Sequence, residues 1–165
     1  MERVERPFFL PPRAVNVREA EPTDAPAIAE LTLQLGYPVE VEAMRDRLRV
    51  LKLRHDHLVL VATIDQAIGG WVHACAAEAL ESGFRVEIVG LVVAERFRRR
   101  GVGRRLMEAA EKWAVAQGAP VLVVRSNIRR TESHGFYPSL GFAVNKTQTV
   151  FHKRLPHKDT SGPAG

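Results

Sequence analysis

Residues 95–106, Glu-Arg-Phe-Arg-Arg-Arg-Gly-Val-Gly-Arg-Arg-Leu, constrain what this chain can fold into more than any other stretch. An apolar segment at 86–93 precedes them and reads as a strand; the residues from 106 to 117 read as an amphipathic helix. A strand, a glycine loop and a helix N-terminus in that order form a site for a phosphorylated ligand. Backbone N–H groups point outward there, and that end of the helix carries roughly half a positive charge. Arg96, Arg98, Arg99, Arg100, Arg104 and Arg105 add fixed positive charge beside those donors.

Two familiar phosphate loops do not fit. A Walker A loop needs Lys and then Ser or Thr after its last glycine, where this chain has Arg104 and Arg105. A dinucleotide fingerprint needs Gly or a small residue in its third glycine position, which Leu106 occupies. What is left is R-x-x-G-x-G at 98–103. A second segment, 127–142, reads Asn-Ile-Arg-Arg-Thr-Glu-Ser-His-Gly-Phe-Tyr-Pro-Ser-Leu-Gly-Phe and follows another predicted strand at 121–125.

Together these segments resemble the GNAT superfamily of acetyl-CoA-dependent N-acetyltransferases. The first is similar to that family's pyrophosphate loop. The second is similar to its R-x-x-A-H-x-F-Y-x-x-L-G-F segment, with Ser133 in place of Ala. The two motifs and their strands cover about 86–142, and weaker resemblance extends over 15–155. The resemblance implies an α+β domain: a mixed, mainly antiparallel sheet with helices on both faces and one parallel strand pair splayed apart at the cofactor.

It also implies a set of site residues. Acetyl-CoA would be held by Arg98, Arg99, Arg100, Gly101, Val102, Gly103 and Arg104. Main-chain groups of Leu91, Val92 and Val93 would meet the pantetheine and the thioester carbonyl. Asn127 would bond a pantetheine amide, with Arg130 and Ser133 as further cofactor contacts. Tyr137 occupies the position of the general acid in many members, and a phenol of pKa near 10 can protonate a departing thiolate. No metal is expected.

Amide formation from a thioester also requires a neutral amine, and an alkyl ammonium of pKa near 10.4 cannot attack until it loses a proton. Glu87, on the central strand beside Gly90, is the expected base, acting through water. Its competing reading is a salt bridge to Arg85 or to another strand. His73 is the rival base, and a lone histidine there is more often a structural hydrogen-bonder. Tyr37, in the Gly-Tyr-Pro connection, and Trp71 could line the acceptor cleft together with His73, although Trp71 also suits the core. Residues 35–38 with 146–148 resemble bacterial small-molecule acetyltransferases, so a small-molecule amine is expected, with a protein amine as the alternative.

The charge balance of +5 suggests a nucleic-acid partner, but the cations concentrate at the phosphate loop and only Phe97 is interleaved among them. A basic nucleic-acid module and a non-catalytic acyl-CoA sensor are therefore lesser alternatives. No apolar run approaches the roughly 20 residues that cross a bilayer. The N-terminus lacks a signal-peptide core, and Cys75 has no cysteine to pair with, so a cytoplasmic location is expected. Many members of the resembling family pair through their later strands, which allows a homodimer.

Along the chain, 1–13 reads as a flexible arm, 14–155 as the acetyltransferase domain and 156–165 as a disordered tail. Strands are expected at 15–19, 57–63, 67–76, 85–93 and 121–125, with closing strands at 143–147 and 149–154. Helices are expected after an N-cap at Thr23 and at 41–54, 102–117 and 131–140. Gly90, inside a β-branched run, predicts a bulge or a close backbone approach. Cys75 and Trp113 read as core residues.

Overall fold

A computed structural model describes residues 14–156. The expected arm and nearly all of the expected tail lie outside these residues. The chain divides into two compact units between Asn127 and Ile128.

The first unit is a five-stranded sheet in the order β1 (Asn16–Glu19), β2 (His57–Ile64), β3 (Ala67–Ala79), β4 (Gly83–Val93), β5 (Leu122–Val124). The first three pairings are antiparallel and β4–β5 is parallel. The β2–β3 hairpin closes through Asp65 and Gln66, both at positive φ, as a two-residue turn with the twist of its strands requires. Two bulges disturb the ladders. One lies between Ala62 and Thr63, and the other between His73 and Ala74, facing Gly90. The second is where the glycine in β4 predicts one.

Helices α1 (Ala25–Gln34), α2 (Val41–Lys52) and α3 (Val102–Ala116) cover the sheet. Apolar side chains at helical spacing, Ile28 and Leu31 on α1 and Met44 and Leu48 on α2, are buried in one cluster with Val61, Trp71 and Val92. Helix α3 lies on the other face: a Cβ on Gly70 would fall 3.1 Å from Val102 and 3.3 Å from Leu106. Successive strand residues point to opposite faces, so Gly70 and Trp71 report the two layers directly. The α+β fold with helices on both faces is as expected.

Some expectations are corrected. Thr23 is not a helix cap but lies within a 3₁₀ turn, Pro22–Asp24. The cap there is Asp24, whose carboxylate accepts the Glu21 backbone N–H at 2.8 Å and a bidentate pair from Arg18 at 2.7 and 2.8 Å. These bonds, Arg18 first, hold its carboxyl below the usual carboxylate range against the opposing effect of burial. Cys75 is half-buried on an open sheet face, and burial pushes its thiol pKa up. Trp113 is half-buried, lining a cleft at the β1–β2 edge with Leu48 and Val59.

The second unit contains α4 (Thr131–Ser139), ended by Gly141 at φ +91°. The closing strands expected at 143–147 and 149–154 do not form among the described residues. Alternating side chains define two faces, but a strand exists only through hydrogen bonds to a neighbour. No described strand pairs with this segment, and Val144, Val150 and Phe151 are exposed.

Candidate active site

The glycine loop ahead of α3 has an unusual backbone. Arg99 and Gly101 both adopt left-handed backbone conformations, φ +60° and +80°. Two such residues around Arg100 turn the chain sharply, and turns with left-handed residues are the kind in which successive N–H groups can form an anion-binding nest. Gly101 is the N-cap of α3, and Arg105 is the first residue to close a helical bond, to the Gly101 carbonyl at 3.0 Å. In any α-helix the N–H groups of the first turn point out of the helix end rather than along its bond ladder. A Cβ on Gly101 would meet nothing within 4 Å, so the space beside it is open.

Phe97 anchors the loop. Its ring packs on Gly69, where a Cβ would fall 3.1 Å from Cδ2, and the guanidiniums of Arg96 and Arg100 lie 4.9 and 5.8 Å from its centroid. Arg98, Arg99, Arg100 and Arg104 are exposed, while Val102 and Gly103 are buried.

Leu91, Val92 and Val93 lie where the parallel pair has ended. β5 accompanies β4 only from Val86 to Ile88, whereas β4 stays paired with β3 to Val93. Past Ile88, no described strand covers the other edge of β4. Main-chain groups on that edge lead directly into the glycine loop before α3. Asn127 lies three residues past β5, at the end of the first unit.

Glu87 points away from the buried Val86 and Ile88. Its carboxylate, 16% exposed, is ion-paired to Arg125 and lies 3.8 Å from Arg85. The ion pair crosses from β4 to the end of β5, next to the last paired residues. Arg125 is a partner that sequence reasoning did not single out, although the competing reading of Glu87 required one.

His73 faces Gly90 across the β3–β4 ladder, next to Leu91. Its Nε2 lies 2.9 Å from Nδ1 of His57 on β2, with ring centroids 5.1 Å apart. Burial first, and then His57, lower the His73 pKa to about 4, so this imidazole is neutral at physiological pH. His57 was not among the expected site residues. The Gly69–Gly70 pair, which marks the bulge that sets its register, was the available signal.

Trp71 is 9% exposed within the core cluster, as its alternative reading has it, and its Nε1–H is buried with no partner among the described residues. Its ring edge packs on Gly90, where a Cβ would lie 2.7 Å from two ring carbons. Tyr37 is 66% exposed in the α1–α2 connection. A groove of about 460 Å³ lies between α1 and the end of β4, with Glu30, Gln34, Glu95 and Arg96 in its wall.

In the second unit, Tyr137 packs edge-on against Phe136 and Phe142, with centroids 5.2 and 5.7 Å away. Burial raises its pKa, with Arg130 opposing, so the phenol stays protonated at neutral pH. Ser133 N–H donates to the Arg130 carbonyl at 3.0 Å in the first turn of α4.

A family model described as the acetyltransferase (GNAT) family matches residues 25–142. The chain belongs to that family. This acetyltransferase is 25% identical over 147 residues to an aminoglycoside N(6')-acetyltransferase type 1 of Stenotrophomonas maltophilia, covering 87% of this chain and 94% of the relative. Among solved structures, its fold matches a transcriptional regulator from Bacillus halodurans C-125 with TM-score 0.77 at 20% identity, over 85% of this chain and 100% of that one. The aminoglycoside N-acetyltransferase AAC(6')-Iy, solved in complex with CoA, matches with TM-score 0.77 at 20% identity, over 89% and 100%. The acetyltransferase is thus an acyl-transferring enzyme on a GNAT fold. No helix among the described residues is long and apolar enough to cross a membrane.

Proposed function

We propose that this enzyme transfers the acetyl group of acetyl-CoA to a primary amine of a small molecule, by direct attack in a ternary complex. The observation that carries this reading is the run of β4 past the end of β5 into the left-handed loop at the start of α3. The loop amides and Arg98–Arg100 would grip the diphosphate. The uncovered edge at Leu91–Val93 would bond the pantetheine, and a main-chain N–H there would stabilise the developing oxyanion. Such donors are among the larger catalytic contributions. Asn127, Arg130 and Ser133 would complete the cofactor contacts.

Tyr137 would donate its proton to the departing CoA thiolate, a role supported by the burial that keeps the phenol protonated. For the acceptor, Glu30 and Glu95 in the groove beside the end of β4 suit an ammonium-bearing molecule. The aminoglycoside acetyltransferases among the relatives support a small-molecule amine.

Free-thiol release from acetyl-CoA, scored across aminoglycosides, polyamines and amino sugars, tests the reading. Turnover with at least one amine is expected. Tyr137→Phe should lower it by about 10²-fold or more while acetyl-CoA still raises the melting temperature. Equal turnover by that variant would remove Tyr137 as the acid.

A further inference from the structure

The amine's proton has two expected acceptors, and their surroundings differ. The Glu87 carboxylate is ion-paired to Arg125 and lies 3.8 Å from Arg85, so its oxygens are already engaged by guanidinium donors. His73 is uncharged, faces Gly90 immediately before Leu91, and is hydrogen-bonded to a second imidazole. From this geometry we propose that His73 and His57 form a two-imidazole relay that carries the proton of the attacking amine to solvent, with Glu87 as a positioning residue that ties β4 to β5. The proposal rests on the acetyl-transfer reading above.

A single proton occupies the 2.9 Å gap between His73 Nε2 and His57 Nδ1, because one nitrogen must donate and the other accept. Before transfer, His73 holds it on Nε2 and keeps a lone pair at Nδ1, while His57 carries its own proton on Nε2. As the amine nitrogen bonds to the thioester carbonyl carbon, its N–H proton passes through intervening water to His73 Nδ1. The proton on His73 Nε2 moves to His57 Nδ1, and the proton on His57 Nε2 leaves to water. The breaking C–S bond leaves its electron pair on CoA sulfur, which the acid protonates. Both rings end neutral with the shared proton on the other side. Rotation or exchange with water restores the starting state.

The arrangement accounts for a low proton affinity at His73, since a relay needs no resting charge. Two strands hold the rings on the sheet face opposite α3. Charged and titratable groups face the pair from each neighbouring strand. Just before β2, Asp56 stands beside His57 and is ion-paired to Arg54, and on β3, Cys75 sits opposite His57. On β4, Glu87 lies across from Cys75 with Arg85 at its side. Arg125, at the end of β5, completes the set through Glu87.

The test uses the full chain, acetyl-CoA, and whichever amine of the panel the wild type turns over fastest. His57→Asn keeps a polar atom near the Nδ1 position, and His73→Gln keeps one near Nε2, but neither passes a proton through. Each variant should lose about 10²-fold in kcat/KM for the amine near pH 7 and recover as pH approaches the amine's own pKa, near 10. The acetyl-CoA-induced rise in melting temperature should be unchanged. Glu87→Gln should lower activity yet keep the wild-type pH profile. In mixed H₂O and D₂O, the wild-type rate should curve downward with deuterium content, as more than one proton in flight requires. A linear dependence, or wild-type pH profiles in both histidine variants, would overturn the relay while leaving acetyl transfer standing. Absence of turnover by the wild type with every amine would overturn both.

Discussion

Replacing Gly90 with Ala tests how the sheet supports the site. The added Cβ would lie 2.7 Å from both Cη2 and Cζ3 of Trp71, where carbon atoms rest at about 3.5–4.0 Å. Either the ring or the strand must therefore give by about 1 Å. The ring is enclosed with Ile28, Leu31 and Val92 and cannot swing away cheaply. The strand is freer, because β4 has lost its β5 neighbour beyond Ile88. Relief would displace Leu91–Val93, so both stability and cofactor binding should suffer. Overpacking of this kind costs about 1–3 kcal/mol. At roughly 2–4 °C per kcal/mol for a chain of this length, the melting temperature should fall by about 2–12 °C. Trp71→Phe removes the ring carbons that the new Cβ meets, together with an N–H that lacks a partner. Combined with Gly90→Ala, it should therefore cost less than the sum of the single changes, by about 0.5–3 kcal/mol of coupling. Thermal unfolding followed by circular dichroism measures all four proteins. An unchanged melting temperature in Gly90→Ala, or strict additivity in the double variant, would refute the packing argument.

Three further outcomes are expected. Gly101→Val should cost only about 1–2 kcal/mol of left-handed backbone strain, since its Cβ has open space. It should nevertheless abolish the stabilisation by acetyl-CoA, about 2.7 kcal/mol at one hundred times the dissociation constant; a retained shift would reject the loop as the diphosphate site. Because the folded His73 pKa of about 4 lies below its unfolded value near 6.5, the unfolded chain binds more protons between these limits. Stability should therefore fall as pH drops through that window, by on the order of 3 kcal/mol from this group, and denaturant melts of His73→Gln should show a shallower slope. Asp24→Asn should cost about 1–2 kcal/mol near neutral pH by weakening the Arg18 pair and the Glu21 cap. The Asp24 carboxyl pKa is lowered in the fold, so the gap should be full above about pH 5 and narrow as pH falls through the folded value; a pH-independent gap would contradict this.

The elements legible in the sequence were those specified by neighbours along the chain. The β2–β3 turn between its two expected strands and the start of α3 at the glycine loop both follow from local backbone preference, and each lies where expected. The glycine loop before α3 was legible for the same reason, because left-handed φ and a helix start are properties of a dozen consecutive residues. The strands expected after Gly141 failed because alternation specifies a face but not a partner.

The histidine pair shows most clearly what tertiary structure alone decided. Counted straight from the Asp65–Gln66 turn, His57 would face Ala74 and point to the opposite side of the sheet from His73. The bulge between Ala62 and Thr63 shifts the register by one residue, sets His57 opposite Cys75, and turns both imidazoles onto one face. A one-residue slip reverses every side chain beyond it, because the strand repeat is two. The ion pair between Glu87 and Arg125 likewise joins residues 38 apart in sequence, through the parallel pairing of β4 and β5. Residue types and local turns were therefore settled by the chain itself. Which side chains share a face, and hence which groups can exchange a proton, was settled by strand register.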